Sequence, residues 1–436
     1  MNFAELGIHI PEIHLPQPEI DLKKWAVVAC DQYTSQLEYW EELARLVGNA
    51  PSTLKLIFPE VYLGTSDESL RIEQIKQQMQ KYLETKLLVS QGAGFVYVER
   101  QTSHHKLRKG LIVALDLECY DYRPGANSLI RATEGTVLER IPPRVKIRMG
   151  ACLELPHIMV LLDDPKQQVI EPLTNKRNEL KKLYETDLMM EGGRVTGYQV
   201  QDDAILTGIN VGLANLVANA ATENPLLFAV GDGNHSLATA KAVWEETKLK
   251  ISSVEELSIH PARYALVELV NLHDPGMVFE PIHRVVFNCQ LEALQEAATR
   301  YTAKTGTEVS LDLINESEDL KQLDEAHCVE LIGSFGRGSL IFEHSKFQLA
   351  VGAVQDFLDY LMTLSPKISV DYIHGAEVVQ ELGSHTGNIG FYLPPMEKTD
   401  LFKTVIKEGV LPRKTFSMGE AAEKRFYLET RKIIPV

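Results

Sequence analysis

The sequence predicts a mixed α/β fold, and three observations carry that reading. Short apolar runs of buried-strand length recur along the chain. Stretches with helical hydrophobic spacing stand between several of them. Gly, Pro and Asn/Asp steps mark the boundaries. The first run is WAVVACD (25–31), read as a buried strand. Helical patterns follow at 38–47 and 68–88, the second broken by Gly92-Ala93-Gly94. A strand-rich middle begins there. GFVYVER (94–100) alternates, GLIVALDLECY (110–120) is apolar and β-rich, and HIMVLLDD (157–164) ends in a turn at Asp164-Pro165. The apolar stretch 204–221 carries Asn210, Asn215 and Asn219 and repeats Ile205, Ile209, Leu213 and Leu216 at helical spacing. It reads as a core-packing helix and not a membrane span. LLFAV (226–230) and RYALVELVNL (263–272) are further buried strands. A helix at 291–305, a hairpin at 328–349 and a helix at 353–364 precede LPRKTF and a basic tail. These patterns suggest three regions: an N-terminal α/β region at 1–90, a central domain at 91–290, and a C-terminal α+β region at 291–436.

Composition limits the function classes. The 436 residues carry 44 Lys+Arg against 60 Asp+Glu, a formal net charge of −16. That balance argues against coating nucleic acid or lying on an anionic membrane, since both need a net positive face. Five scattered cysteines with no CxxC pair read as reduced thiols, not as a disulfide frame or zinc site. With no basic leader followed by an apolar run, a cytoplasmic location is expected. Positive charge is nevertheless concentrated. Residues 100–148 hold ten Lys/Arg against five Asp/Glu, and 411–436 hold six against three. Such stretches can gather around a small anion, or they can be solvated loops paired to nearby acids.

The sharpest local signal is FAVGDGNHSLATAK (228–241). An apolar strand runs into Gly231, Asp232, Gly233, Asn234, His235 and Ser236, and a helix-forming stretch follows. The glycines allow positive φ and close backbone approach. Asn234 or Ser236 is placed to cap the helix, whose opening amides favour a phosphate or carboxylate. Asp232 beside such a site suits a Mg²⁺ ligand or a general base, and His235 a phosphoryl donor or proton relay. The alternative is a tight structural turn with both side chains satisfied internally. Neither the P-loop nor the GxGxxG pattern is present.

A second constellation sets Glu134 between Thr133 and Gly135-Thr136, with Arg131, Arg140, Arg144, Lys146 and Arg148 nearby. Cations would keep Glu134 ionised, as a metal ligand or a base must be. The alternative is a Thr/Glu capping pair, with Pro142-Pro143 ending that segment. A third element, Pro281-Ile282-His283-Arg284, could face a ligand or pair locally. His104-His105, His374 and His385 show no metal spacing. Asp31, at the end of the first strand, is a further candidate contact.

In this order the motifs resemble the prokaryotic family catalogued as domain of unknown function 1015, over nearly the whole chain. A Tyr-Asp pair ending the first strand is matched by Cys30-Asp31-Gln32-Tyr33, and His-Glu-x-Thr by Thr133-Glu134-Gly135-Thr136. The hallmark Asp-Gly-His-His-Arg is matched by Asp232-Gly233-Asn234-His235-Ser236. Pro-x-His-Arg is matched at Pro281 to Arg284, and Leu-Pro-x-Lys-Ser/Thr at Leu411-Pro412-Arg413-Lys414-Thr415. The hallmark also resembles the phosphate-binding motif of the ParB/sulfiredoxin-like superfamily, whose members bind CTP, ATP or ADP and include kinases of free serine. The resemblance implies a ParB-like core within a larger multi-layer structure. It implies Asp232, Glu134 and His235 as catalytic residues, with Asp232 and Glu134 on Mg²⁺. Gly231, Gly233, Asn234, Ser236, Arg144, His283, Arg284 and Lys414 would then surround the nucleotide. Asn234, Ser236 and Thr133 depart from the pattern, and the arginine missing at Ser236 removes a bidentate phosphate clamp. Lys241, Arg144 or Lys414 would have to supply that charge, Lys414 by the tail folding back toward Asp232.

The functional expectation is nucleotide-dependent phosphoryl transfer to the hydroxyl of a small polar, amino-acid-like metabolite, by a kinase or nucleotide hydrolase. The alternative is a non-catalytic module that senses a nucleotide or metabolite. The expected partner is a small anionic or polar metabolite, not nucleic acid or membrane. Homo-oligomerisation is left open.

Overall fold

Strand residues of the first half alternate between two apolar layers, and this is why they assemble into one sheet covered on both faces. The computed structural model describes residues 1–102, 107–220, 224–314 and 326–435; His104-His105 lie outside these. Internal contacts divide the chain into two units, Met1–Val278 with Met418–Val436, and Phe279–Ser417. The class is mixed α/β.

In the first unit the strands are β1 (Ile8–His9), β2 (Phe95–Gln101), β3 (Arg108–Asp116), β4 (Tyr120–Asp121), β5 (Ile130–Ala132), β6 (Met159–Leu162), β7 (Lys182–Asp187), β8 (Arg194–Val200), β9 (Phe228–Asp232) and β10 (Tyr264–Asn271). They lie in the order β7-β8-β2-β3-β10-β6-β9-β5-β4, with β1 also paired to β3. Most pairs are antiparallel; β6/β10, β9/β5 and β4/β5 are parallel. Helices α1 (Leu37–Val47), α2 (Glu68–Glu84), α3 (Ile141–Arg148), α4 (Asp203–Ala218) and α5 (Asn234–Lys248) surround the sheet. Val96, Val98, Ile112 and Leu266 join one core cluster with Trp40, Ile72 and Met79 of α1 and α2. The intervening Phe95, Tyr97, Leu111, Val113, Val267 and Leu269 join another with Ile205, Leu213, Leu237 and Trp244 of α4 and α5. Each fully buried side chain of this size is worth roughly 1.5–3 kcal/mol, so the sandwich, more than local propensity, fixes the register.

Three local expectations are corrected. The run 25–31 is buried, but only Val27–Val28 is strand, paired to Phe426–Tyr427 of the returning C-terminal stretch. The second helix stops at Glu84, because Lys86 turns at φ 54° and Leu88–Ala93 pairs with Glu12–Pro16. Pro142 and Pro143 open α3 instead of ending a segment, since first-turn positions need no N–H donor. The stretch 204–221 is the expected core helix over its described part: Ile205, Ile209 and Leu213 of α4 are buried. No helix among the described residues is long and apolar enough to cross a membrane.

The second unit is a six-stranded antiparallel sheet of β11 (His283–Phe287), β12 (Glu308–Ile314), β13 (Ala326–Gly333), β14 (Gly336–Glu343), β15 (Ser369–Ile373) and β16 (Asn388–Tyr392), ordered β12-β14-β13-β16-β11-β15. Helices α6 (Leu291–Thr305), α7 (Ala350–Leu364), α8 (Ala376–Gly383) and α9 (Lys398–Glu408) belong to it. Its core sets Leu294 and Tyr301 of α6 and Phe357 and Leu358 of α7 against Val329, Leu331, Phe342 and Phe391 of the sheet.

Candidate functional site

The apolar strand β9 ends at Asp232, and Gly233 turns the chain into α5. Gly233 stands at φ 79°, ψ 28°, in the left-handed region, and a Cβ there would meet Ile158 at 3.1 Å. At Gly231 a Cβ would lie 2.9 Å from both Leu161 and Met418. Backbone conformation and protein neighbours therefore demand both glycines before any ligand is considered.

The helix start differs from expectation. Gly233 is the N-cap, with no side-chain capping bond, because Asn234 and Ser236 are drawn to other segments. Asn234 is buried; its Oδ1 accepts from the Thr133 N–H at 3.2 Å and its amide donates to the Val230 carbonyl at 3.4 Å. The Thr133 hydroxyl donates to the same carbonyl at 2.6 Å. These bonds lock the ends of β5 and β9 together. In their parallel register Ala132 faces Val230, so Glu134 and Asp232 each lie two residues beyond paired positions. Glu134 is half-buried there. With the cap unfilled, the first-turn N–H groups of Asn234 and His235 have no intrahelical carbonyl to bond, and the helix dipole adds partial positive charge.

Asp232 has one oxygen, Oδ1, accepting from the Gly233 N–H at 3.0 Å, and the other, Oδ2, 3.3 Å from Lys424 Nζ. The Asp232 side chain is 26% exposed and that of Lys424 11%. Lys424 arrives because Met418–Val436 returns to the first unit. A capping box between Glu420 and Glu423 shapes that return. Tyr427 follows; its Oη accepts the Cys30 N–H at 3.1 Å and its ring meets His157 edge-on at 5.5 Å. His157 Nε2 is 2.7 Å from Ser236 Oγ.

Charge around the turn is largely spoken for. Arg144 forms a bidentate pair with Glu60, 2.8 Å from Nε to Oε1 and 2.5 Å from Nη2 to Oε2. Burial pushes the Glu60 carboxyl above its usual range, with Arg144 opposing. Lys241 donates to the Leu117 carbonyl at 2.8 Å and pairs with Glu245 at 2.7 Å. His235 accepts the Val137 N–H at Nε2, 3.2 Å away. Burial, then Arg144 and Arg140, push its pKa down to about 4, so the ring is neutral at pH 7. Asp31 accepts from the Gln32 side-chain amide at 3.1 Å. The neighbouring Cys30 thiol is raised far above its usual range by burial and is no nucleophile.

His283, Arg284 and Lys414 belong to the second unit. His283 Nδ1 accepts the Leu393 N–H at 3.0 Å. Arg284, fully buried, donates to Gln355 Oε1 and to the carbonyls of Ile282, Arg413 and Lys414. It thereby organises the turn at Lys414, itself at φ 55°.

Sequence reasoning missed His157, Glu60, Lys424 and Tyr427. His157 precedes a strand with no motif around it. Lys424 was visible only as one of six cations in the basic tail.

The donor set can be tested against a nucleotide and Mg²⁺. An ammonium, a hydroxyl and unsatisfied helix amides suit phosphate oxygens. No group of three or more His, Cys, Asp or Glu among the described residues could hold a metal. Mg²⁺ commonly binds through one or two carboxylates plus substrate phosphates, and Asp232 fits as the carboxylate that would touch an ion carried on a nucleotide.

A profile of the family described as protein of unknown function (DUF1015) matches residues 11–393. No curated protein matches the chain. Solved structures show remote likeness. A point mutant of free serine kinase in complex with AMP aligns with a TM-score of 0.38 and 11% identity, over 74% of this chain and 91% of that one. A complex of the same kinase with ADP gives 0.38 and 11%, over 74% and 92%. A conserved hypothetical protein from Pyrococcus furiosus gives 0.34 and 12%, over 74% and 95%.

Proposed function

The chain belongs to the family described as protein of unknown function DUF1015, and from that premise we propose that it binds a nucleotide with Mg²⁺ at the turn 231–236 and transfers a phosphoryl group to the hydroxyl of a small polar metabolite. The observation that carries this reading is the Asp232–Lys424 pair standing over the uncapped start of α5. Lys424 takes the place of the arginine absent at Ser236 as a point charge for a phosphoryl oxygen. Once Lys424 turns to the phosphate, Asp232 is released to touch the metal or to accept the acceptor's proton. The first-turn amides and the Ser236 hydroxyl hold the remaining oxygens, and Glu134 flanks the acceptor. When bound, Mg²⁺ supplies charge neutralisation between phosphates. The neutral His235 holds the 137 loop against the turn through its bond to Val137.

Thermal unfolding with ATP, ADP and CTP, each with and without Mg²⁺, tests this. Ligand at 100 times its Kd stabilises by about 2.7 kcal/mol, a rise in Tm of roughly 2 °C or more for a chain of this size. No rise with any of the three at millimolar concentration would defeat the reading. One observation favours a second reading, binding without turnover: Arg144 and Lys241, two of the cations expected to replace the missing arginine, are occupied by Glu60 and Glu245. Saturable binding with no transfer across a panel of amino acids and sugars would select it.

A further inference from the structure

Several hydroxyls in the helices of this protein, or at their ends, bond back to the carbonyl four residues earlier. Thr239 donates to His235, Thr247 to Val243, Thr299 to Gln295, Thr305 to Tyr301 and Ser384 to Gln380. This is the ordinary local satisfaction of a helical Ser or Thr. Ser236, the third residue of α5, stands in the first turn and bonds across the fold instead. Its Oγ lies 2.7 Å from Nε2 of His157, 79 residues away in the chain. Both residues are half-buried, so the pair is open to solvent at the mouth of the turn.

A hydroxyl within hydrogen-bond reach of an imidazole nitrogen, with the imidazole held by other groups, is the arrangement that activates a weak nucleophile. His157 is held from the side of the returning C-terminal stretch. The Tyr427 ring packs edge-on against it. The hydroxyl stands in the first turn of a helix whose amides favour developing negative charge.

We propose that Ser236 and His157 form a nucleophile and general-base pair, and that Ser236 carries the phosphoryl group transiently. This rests on the nucleotide reading above and changes its chemistry from direct transfer to double displacement. Ser236 Oγ bonds to the terminal phosphorus of a nucleoside triphosphate as the bond from phosphorus to the bridging oxygen breaks. The electron pair of that bond leaves with the nucleoside diphosphate, and the hydroxyl proton passes to His157 Nε2. In the return step the acceptor's hydroxyl oxygen bonds to phosphorus and the Oγ–P bond breaks. Ser236 recovers its proton from His157, and the acceptor's proton leaves to solvent.

A fluorophosphonate probe tests the pair without knowledge of the natural substrate, because it phosphonylates activated serines with loss of fluoride. The full chain is treated with the probe, and the labelled residue is identified by peptide mass spectrometry. Labelling is expected at Ser236, absent in S236A, and slowed about 10²-fold or more in H157Q, with melting temperatures confirming that both variants fold. In parallel, the chain is incubated with Mg²⁺ and ATP or CTP and its intact mass is followed for one added phosphate on Ser236. A chain whose melting temperature rises with nucleotide but whose Ser236 stays unlabelled overturns the inference and leaves the nucleotide reading standing. Labelling at Ser236 without any nucleotide response upholds the pair and removes the nucleotide as donor. Equal labelling rates for H157Q and the parent overturn the role of His157.

Discussion

Two polar clusters of the first unit use charged and polar side chains to opposite ends. Within the returning C-terminal stretch, Arg425 sits between Glu268, 3.2 Å away, and Glu429, which also accepts from the Tyr184 hydroxyl. Arg431 and Arg148 share Glu154 nearby. Arg425, Glu268 and Glu429 are each at most 3% exposed. Room for them is set by sequence: a Cβ at Gly110 would lie 2.3 Å from Glu268 Oε1. At the turn, a buried Lys424 meets a partly exposed Asp232, and half-buried Ser236 and His157 share a single bond. The contrast teaches where chemistry can happen. In the deep cluster any exchange of partner strands a desolvated charge. At the turn water reaches one side, so an incoming anion can replace a protein partner at little cost.

Breaking the deep cluster gives the largest expected effect. R425M leaves Glu268 and Glu429 without their shared cation and should cost about 3–5 kcal/mol, read as a lower urea midpoint at unchanged slope. A loss below about 1 kcal/mol would erase the contrast. Breaking the turn should behave differently. K424M is expected to cost no more than about 1 kcal/mol and yet abolish most of the nucleotide-induced rise in Tm. If the variant keeps the full rise, Lys424 is not the phosphate cation.

A third effect concerns pH. The pKa of His235 is pushed from 6.5 down to about 4, chiefly by burial. On acidification the unfolded chain therefore binds its proton first. The stability contributed by the neutral ring is complete above pH 6.5 and is lost as pH falls from 6.5 toward 4. H235Q, which can still accept the Val137 N–H, should flatten the fall in stability across that window. Identical pH profiles for variant and parent would show that the ring is not protected from water.

What was legible in the sequence follows from how local each cause is. The strand into Asp232, the turn at Gly233 and the helix after it are encoded by neighbours, and they form where the pattern places them. So does Leu291–Thr305, while the hairpin expected at 328–349 forms earlier, as Ala326–Gly333 with Gly336–Glu343. The fate of 25–31 depends on Phe426–Tyr427, some 400 residues later, and no local pattern announces that pairing. The site divides the same way. Asp232 and Ser236 are visible as residues of a turn, while their partners Lys424 and His157 come from segments that only the fold brings together.

The return of Met418–Val436 also bears on how the molecule is made. The unit that begins at Met1 waits for its closing strand pairs until Phe279–Ser417 has been synthesised. A ribosome-bound chain would display the 231–236 turn with Asp232 still lacking its lysine. That corner is assembled only once 418–436 has been made, so a product that stops before Met418 would leave Asp232 without Lys424 and Val27–Val28 without its strand partner, open to proteolysis.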